Sequence, residues 1–112
     1  MLIVAAGGAV GSALRYGTAV VWGARPLTTF GVNVSGAFLI GVLAALTTDP
    51  RLRLLLGTGL LGGYTTFSAW QLEALLSARE GDWIAMAGIL LGSTVAGLAA
   101  VSLGFAAGLR LR

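Results

Sequence analysis

The sequence predicts an all-α integral membrane protein: a single domain over residues 1–112 with four transmembrane helices, the third broken at mid-membrane. Three observations predict it. Hydrophobic residues make up 57% of the chain and charged residues only 10%, well under half the roughly 25% charge of a soluble domain. Charge-free stretches run over residues 26–48, 54–72 and 83–109, each near or beyond the ~18 to 20 residues needed to cross a ~30 Å hydrocarbon core. A fourth, residues 2–23, is interrupted only by Arg15. Finally, GGYTTFSAW at 62–70 places two glycines, three serine or threonine hydroxyls and three aromatic rings inside one of these apolar runs.

The expected spans are roughly 2–23, 28–48, 53–76 and 83–107. The first lacks a basic leader region and an obvious cleavage site and carries Arg15 within its apolar run, so it is expected to stay as a span. ARPLT joins it to the second span. Asp49-Pro50 is a helix stop with a turn signal. SAREGD follows the third span, and its Glu80-Gly81-Asp82 can cap the fourth helix. Glycines recur at small-xxx-small spacing, Gly7 to Gly11 and Gly88 to Gly92, which predicts close helix packing.

The excess charge of +3 comes from seven arginines and no lysine. Arg51, Arg53, Arg110 and Arg112 fall on the side of the termini and the second loop, whereas Arg25 and Arg79 fall on the other. Four against two is a weak positive-inside bias, compatible with insertion both ways. Four short spans enclose too little interior for a route of their own, so an oligomer is expected, and an antiparallel pair suits the ambiguous orientation. With no Cys, no His and four acids, little is left for disulfides, metal binding or acid-base catalysis, so no catalytic residue is predicted. There is no basic face for nucleic acid; the partner is the bilayer.

Polar groups inside the spans carry the functional information, because each must find a partner or water. Arg15 either snorkels toward the side of Arg25 or stands as a fixed positive charge drawing an anion to a vestibule. Asn33 and Ser35 open the second span, where an Asn is interhelical glue or a permeation residue. Ser93, Thr94 and Ser102 either back-bond to their own helix or line a path. Gly62-Gly63 weakens the third helix, and the hydroxyls of Thr65, Thr66 and Ser68 are local partners for the freed backbone. Phe67 and Trp70 share a face beyond the break, with ring edges of partial positive charge that can meet an anion.

GGAVGSALRY, TTFGVNVSGAFLIG and GLLGGYTTFSAWQLE, taken together, resemble the CrcB or Fluc family of fluoride channels over nearly the whole chain. The resemblance implies an antiparallel dual-topology dimer with two pores that pass fluoride outward, and a structural Na⁺ at the dimer interface. It implies Asn33, Phe67, Trp70, Ser93, Thr66 and Ser68 as pore-lining residues. It implies Arg15 and Glu73 as charges near the pore ends, and the backbone carbonyls of Gly62 and Thr65 as the Na⁺ ligands. A multi-pass protein of the cell's inner or plasma membrane follows.

The chain departs from the family pattern at Trp70, where Phe is usual, at Ala69, where Thr is usual, and at Ile89, where a tyrosine is often found. The first and last leave room for a partner that is a paralogous chain rather than a second copy, or for a non-conducting subunit of a heterodimer. The rival from another class is a small proton-coupled dual-topology multidrug or cation exporter. Such carriers rest on a glutamate within the first span, and this span has none.

Overall fold

The computed structural model describes residues 1–112. Five helical elements follow one another and no strand occurs: α1 Leu2–Trp22, α2 Pro26–Leu46, α3 over residues 50–64, α4 Phe67–Arg79 and α5 Trp83–Leu111. Two of them contain wider π-helical turns, Arg53–Leu61 within α3 and Gly88–Gly92 within α5.

The helix ends follow local chemistry. Gly23 stops α1 at φ 86°, a left-handed conformation that costs a side-chain-bearing residue, and Pro26 opens α2 where its missing N–H is not needed. The Asp49 carboxylate accepts the backbone N–H groups of Arg51 and Leu52 to start α3. Asp82 accepts from the N–H of Ala85 to start α5, as the polar loop at 80–82 predicts.

Arginines close several C-terminal ends, where carbonyls lack partners and the helix dipole is negative. Arg25 donates to the Trp22 carbonyl at the end of α1. Arg53 reaches the carbonyls of Ala44 and Thr47, and Arg112 that of Ala45, all at the end of α2.

Two helix pairs build the body, α1 against α3 and α2 against α5. Both are seated on glycine. A Cβ on Gly11 would strike the Leu60 carbonyl, and one on Gly63 would stand 2.6 Å from the Gly8 carbonyl oxygen. Across the other pair, Gly41 faces the Val101 carbonyl and Gly104 the Phe38 carbonyl. Absent side chains let the backbones approach closely, which is how apolar helices associate without a hydrophobic drive between them. The expected close pairing through Gly7 and Gly11 is present; at Gly88 and Gly92 an added Cβ would meet nothing within 4 Å, so no backbone approaches closely there.

The position of the helix break corrects the sequence expectation. Gly62 and Gly63 are helical, with Gly62 at φ −63° and ψ −38°. The interruption falls at Thr65 (φ −80°, ψ 158°) and Thr66 (φ −143°, ψ 122°), both extended. Gly63 serves contact with α1, and the two β-branched threonines, which favour extended backbone, take the break.

Only 13 of the 112 residues are buried, and the apolar ones among them are Val32, Ala45, Leu61, Ala74 and Ala100. Large side chains such as Leu14, Val21, Ile84 and Leu98 point outward. In water such a surface would drive association; it suits contact with lipid or a second chain. Pro26–Leu46 and Trp83–Leu111, with mean hydropathies of 1.8 and 2.1, are long and apolar enough to cross a membrane. The 21-residue α1 is less apolar, with Arg15 within it, and the break divides the third expected span into two shorter helices.

Candidate functional site

The interruption of the third span leaves backbone groups to be satisfied, and the second span supplies the means. The Asn33 amide donates to the Thr66 carbonyl at 2.9 Å, and its oxygen accepts the Thr66 N–H at 2.8 Å. A side-chain amide thus plays the part of a neighbouring strand for one residue of extended chain. Thr65 turns its N–H and its hydroxyl to the Leu61 carbonyl, both at 3.0 Å. The Thr66 hydroxyl accepts from Ala69 N–H at 3.3 Å and caps α4.

Backbone groups stay open here: the Thr65 carbonyl accepts no hydrogen bond from the chain, and the first turn of α4, like that of any α-helix, holds N–H groups with no partner inside the helix. Beside them, Asn33, Gly62, Thr65, Thr66, Phe67 and Trp70 line a groove of about 390 Å³. One wall is therefore a helix N-terminus, where partial positive charge favours an anion.

Phe67 and Trp70 stand with ring centroids 5.2 Å apart and planes at 58°, a tilted pair in which one edge meets the other face. Phe67 is 67% exposed in the single chain. The Trp70 indole N–H, which the sequence offers as an extra donor, is already engaged: it donates to the Ile89 carbonyl at 2.6 Å.

Arg15 and Glu73 line a separate cleft of about 330 Å³, along with Tyr16, Thr28, Thr29 and Thr66. Arg15 does not snorkel outward. Its Nε donates to the Gly63 carbonyl at 3.2 Å, a cation at the end of α3 just before the break. Glu73 accepts from the Thr29 hydroxyl at 2.5 Å.

Ser68 is exposed on α4 and Ser93 is half-buried on α5; neither lines the groove of Asn33, and neither makes a side-chain hydrogen bond. Thr94 and Ser102 bond back to the carbonyls of Leu90 and Leu98 within their own helix. Sequence reading did not single out Thr29 or Tyr64, whose hydroxyl meets Ser35 at 3.0 Å. Both carried a signal: Thr29 is one helical turn before Asn33, and Tyr64 directly precedes the threonine pair.

A helical membrane protein with an interrupted helix, its polar groups gathered where the interruption meets a neighbouring span, belongs to the class of channels and carriers. Within that class the chain belongs to the CrcB family: the family model described as CrcB-like protein, Camphor Resistance (CrcB), matches residues 2–105. It is 45% identical to the fluoride-specific ion channel FluC 2 of Synechococcus sp. (strain CC9605), over 100% of this chain and 83% of that protein. It is 47% identical to the fluoride-specific ion channel FluC of Solibacter usitatus (strain Ellin6076), over 92% and 93%. The FluC of Gloeobacter violaceus (strain ATCC 29082 / PCC 7421) is 43% identical, over 95% and 93%.

Proposed function

We propose that this chain is a fluoride-selective channel that lets cytoplasmic fluoride leave passively across the plasma membrane and so confers fluoride resistance. The observation that carries the reading is the helix break at Thr65 and Thr66, strapped by Asn33, which brings the N-terminus of α4 and the Phe67 ring to one groove. Fluoride is small and strongly hydrated. A selective path must replace its water with several weak donors, and amide, hydroxyl and ring-edge groups do this without holding the ion as tightly as a bare cation would. Asn33, Thr66, Phe67 and Trp70, which line the groove, are its candidate wall, Ser68 and Ser93 are candidates further along the path, and Arg15 and Glu73 stand near its ends.

The conducting unit is two copies in antiparallel orientation. The groove is open along the chain's surface, Phe67 lies largely exposed there, and the arginine bias is weak enough to let both orientations insert. The residues at the break fit a structural Na⁺ at the dimer interface, since the Thr65 carbonyl is an unpartnered hard donor and Gly62 lines the same groove. Two chains would supply the oxygens, and the ion would neutralise carbonyls brought face to face.

Passive export needs no proton-coupling carboxylate. Glu73, engaged by Thr29 near the lower half of α4, lies outside the first span on which the exporter reading depends. The deciding experiment is fluoride efflux from vesicles holding the purified chain, measured with no proton gradient. Rapid fluoride loss, with chloride retained, is expected. Loss that appears only when a proton gradient is imposed would select the exporter, and silence relieved by a coexpressed paralogue would select the heterodimer.

A further inference from the structure

We infer that Trp70 is a positioning residue that straps α4 to α5 and holds the Phe67 ring, and that its indole N–H does not meet the permeating anion. The inference rests on the channel reading and extends it. Its basis is one contact, Trp70 Nε1–H to the Ile89 carbonyl at 2.6 Å, made between helices 19 residues apart in sequence.

Several features give that contact its consequence. Ile89 lies in the π-helical turn Gly88–Gly92, and its carbonyl already accepts the backbone N–H of Ser93, so the indole takes the oxygen's second lone pair. A Cβ added at Gly88 or Gly92 would meet only open space, so neither glycine marks a close backbone approach of this turn to a neighbour. The indole is the hydrogen bond that joins it to α4. The same ring packs on Phe67, with centroids 5.2 Å apart and planes at 58°. Whatever fixes the indole plane therefore bears on how the Phe67 ring stands at the groove.

The two departures at Trp70 and Ile89 then form one device. The acceptor is a backbone carbonyl, so the side chain at 89 need not be polar. A phenylalanine at 70 has no donor to reach it. In an apolar setting an unmet indole N–H is costly, which keeps the strap closed.

The test uses the full chain in lipid vesicles with Trp22→Phe and Trp83→Phe, leaving Trp70 as the one tryptophan. Its ¹⁵N-labelled indole N–H is expected at the position of a strong hydrogen bond and unmoved as fluoride is raised to saturation. A resonance that shifts with fluoride would overturn the inference, because the donor would then face the anion. This readout is independent of flux, so a chain that proves silent in efflux leaves it standing as a statement about Trp70 alone.

The functional arm replaces Trp70 by benzothienylalanine, which keeps the fused ring and loses only the N–H. Fluoride-over-chloride selectivity should fall about fivefold to tenfold, the worth of one hydrogen bond of about 1 to 1.5 kcal/mol, with dimer assembly retained. Trp70→Phe should behave alike. Unchanged selectivity in both would show that ring bulk suffices and the strap does not position Phe67.

Discussion

Asn33 satisfies both backbone polar groups of Thr66 at once, donating over 2.9 Å and accepting over 2.8 Å. This one side chain lets α3 end and α4 begin inside the body of the molecule without leaving the Thr66 backbone unpaired. Asn33→Ala should destabilise the fold by about 1 to 3 kcal/mol for each backbone group left unpaired, and reduce fluoride flux by about tenfold or more. Thermal unfolding in detergent and vesicle efflux measure the two effects. Flux and stability both at the native level would contradict the strap and the path alike.

Phe67 separates path from scaffold. It is largely exposed in the single chain, so Phe67→Ile should leave unfolding and dimer assembly nearly unchanged while removing the ring-edge donors. Fluoride efflux is expected to fall by about tenfold, the scale of one or two lost weak contacts at a transport bottleneck. Native efflux from a well-assembled variant would remove Phe67 from the path.

Glu73 distinguishes a passive pore from a proton-coupled carrier. Glu73→Gln keeps an oxygen for the Thr29 hydroxyl but abolishes proton exchange at that site. Efflux without a proton gradient should stay within about threefold of native, since a channel needs no such step. An abolished flux with an intact dimer would favour a carrier mechanism.

The carbonyls of Gly62 and Thr65 predict a dependence on Na⁺. Exchanging all Na⁺ for a large organic cation during purification should lower the temperature at which the dimer dissociates, and readmitting Na⁺ should restore it. A dimer equally stable in both media would rule out the structural ion.

Glycine substitutions test the packing. A Cβ at Gly104 would collide with the Phe38 carbonyl, whereas Gly97, in the same helix, has nothing within 4 Å. Gly104→Ala should cost about 1 to 3 kcal/mol by forcing α2 and α5 apart. Gly97→Ala should be neutral or stabilising by up to about 1 kcal/mol through helix propensity. Unfolding of the two variants side by side reads the difference.

The sequence by itself determined the class, because charge content and the length of apolar runs depend on the solvent a chain must meet and not on how its helices pair. It also marked the helix stop at Asp49-Pro50 and the cap at Asp82, which act within a few residues of chain. It pointed to GGYTTFSAW and Asn33 as polar groups in need of partners, since such groups in an apolar span need them wherever the helices lie, and the two do meet. Tertiary structure decided which residues break. Gly62 and Gly63 look like the weak point locally, yet packing of Gly63 on Gly8 holds them helical, and Asn33 from another span stabilises the extended backbone of Thr66. It decided likewise that Arg15 turns inward to Gly63 and that the Trp70 donor is spent on Ile89. Each of these outcomes depends on a contact between residues 19 to 55 positions apart, and no local periodicity encodes such a distance.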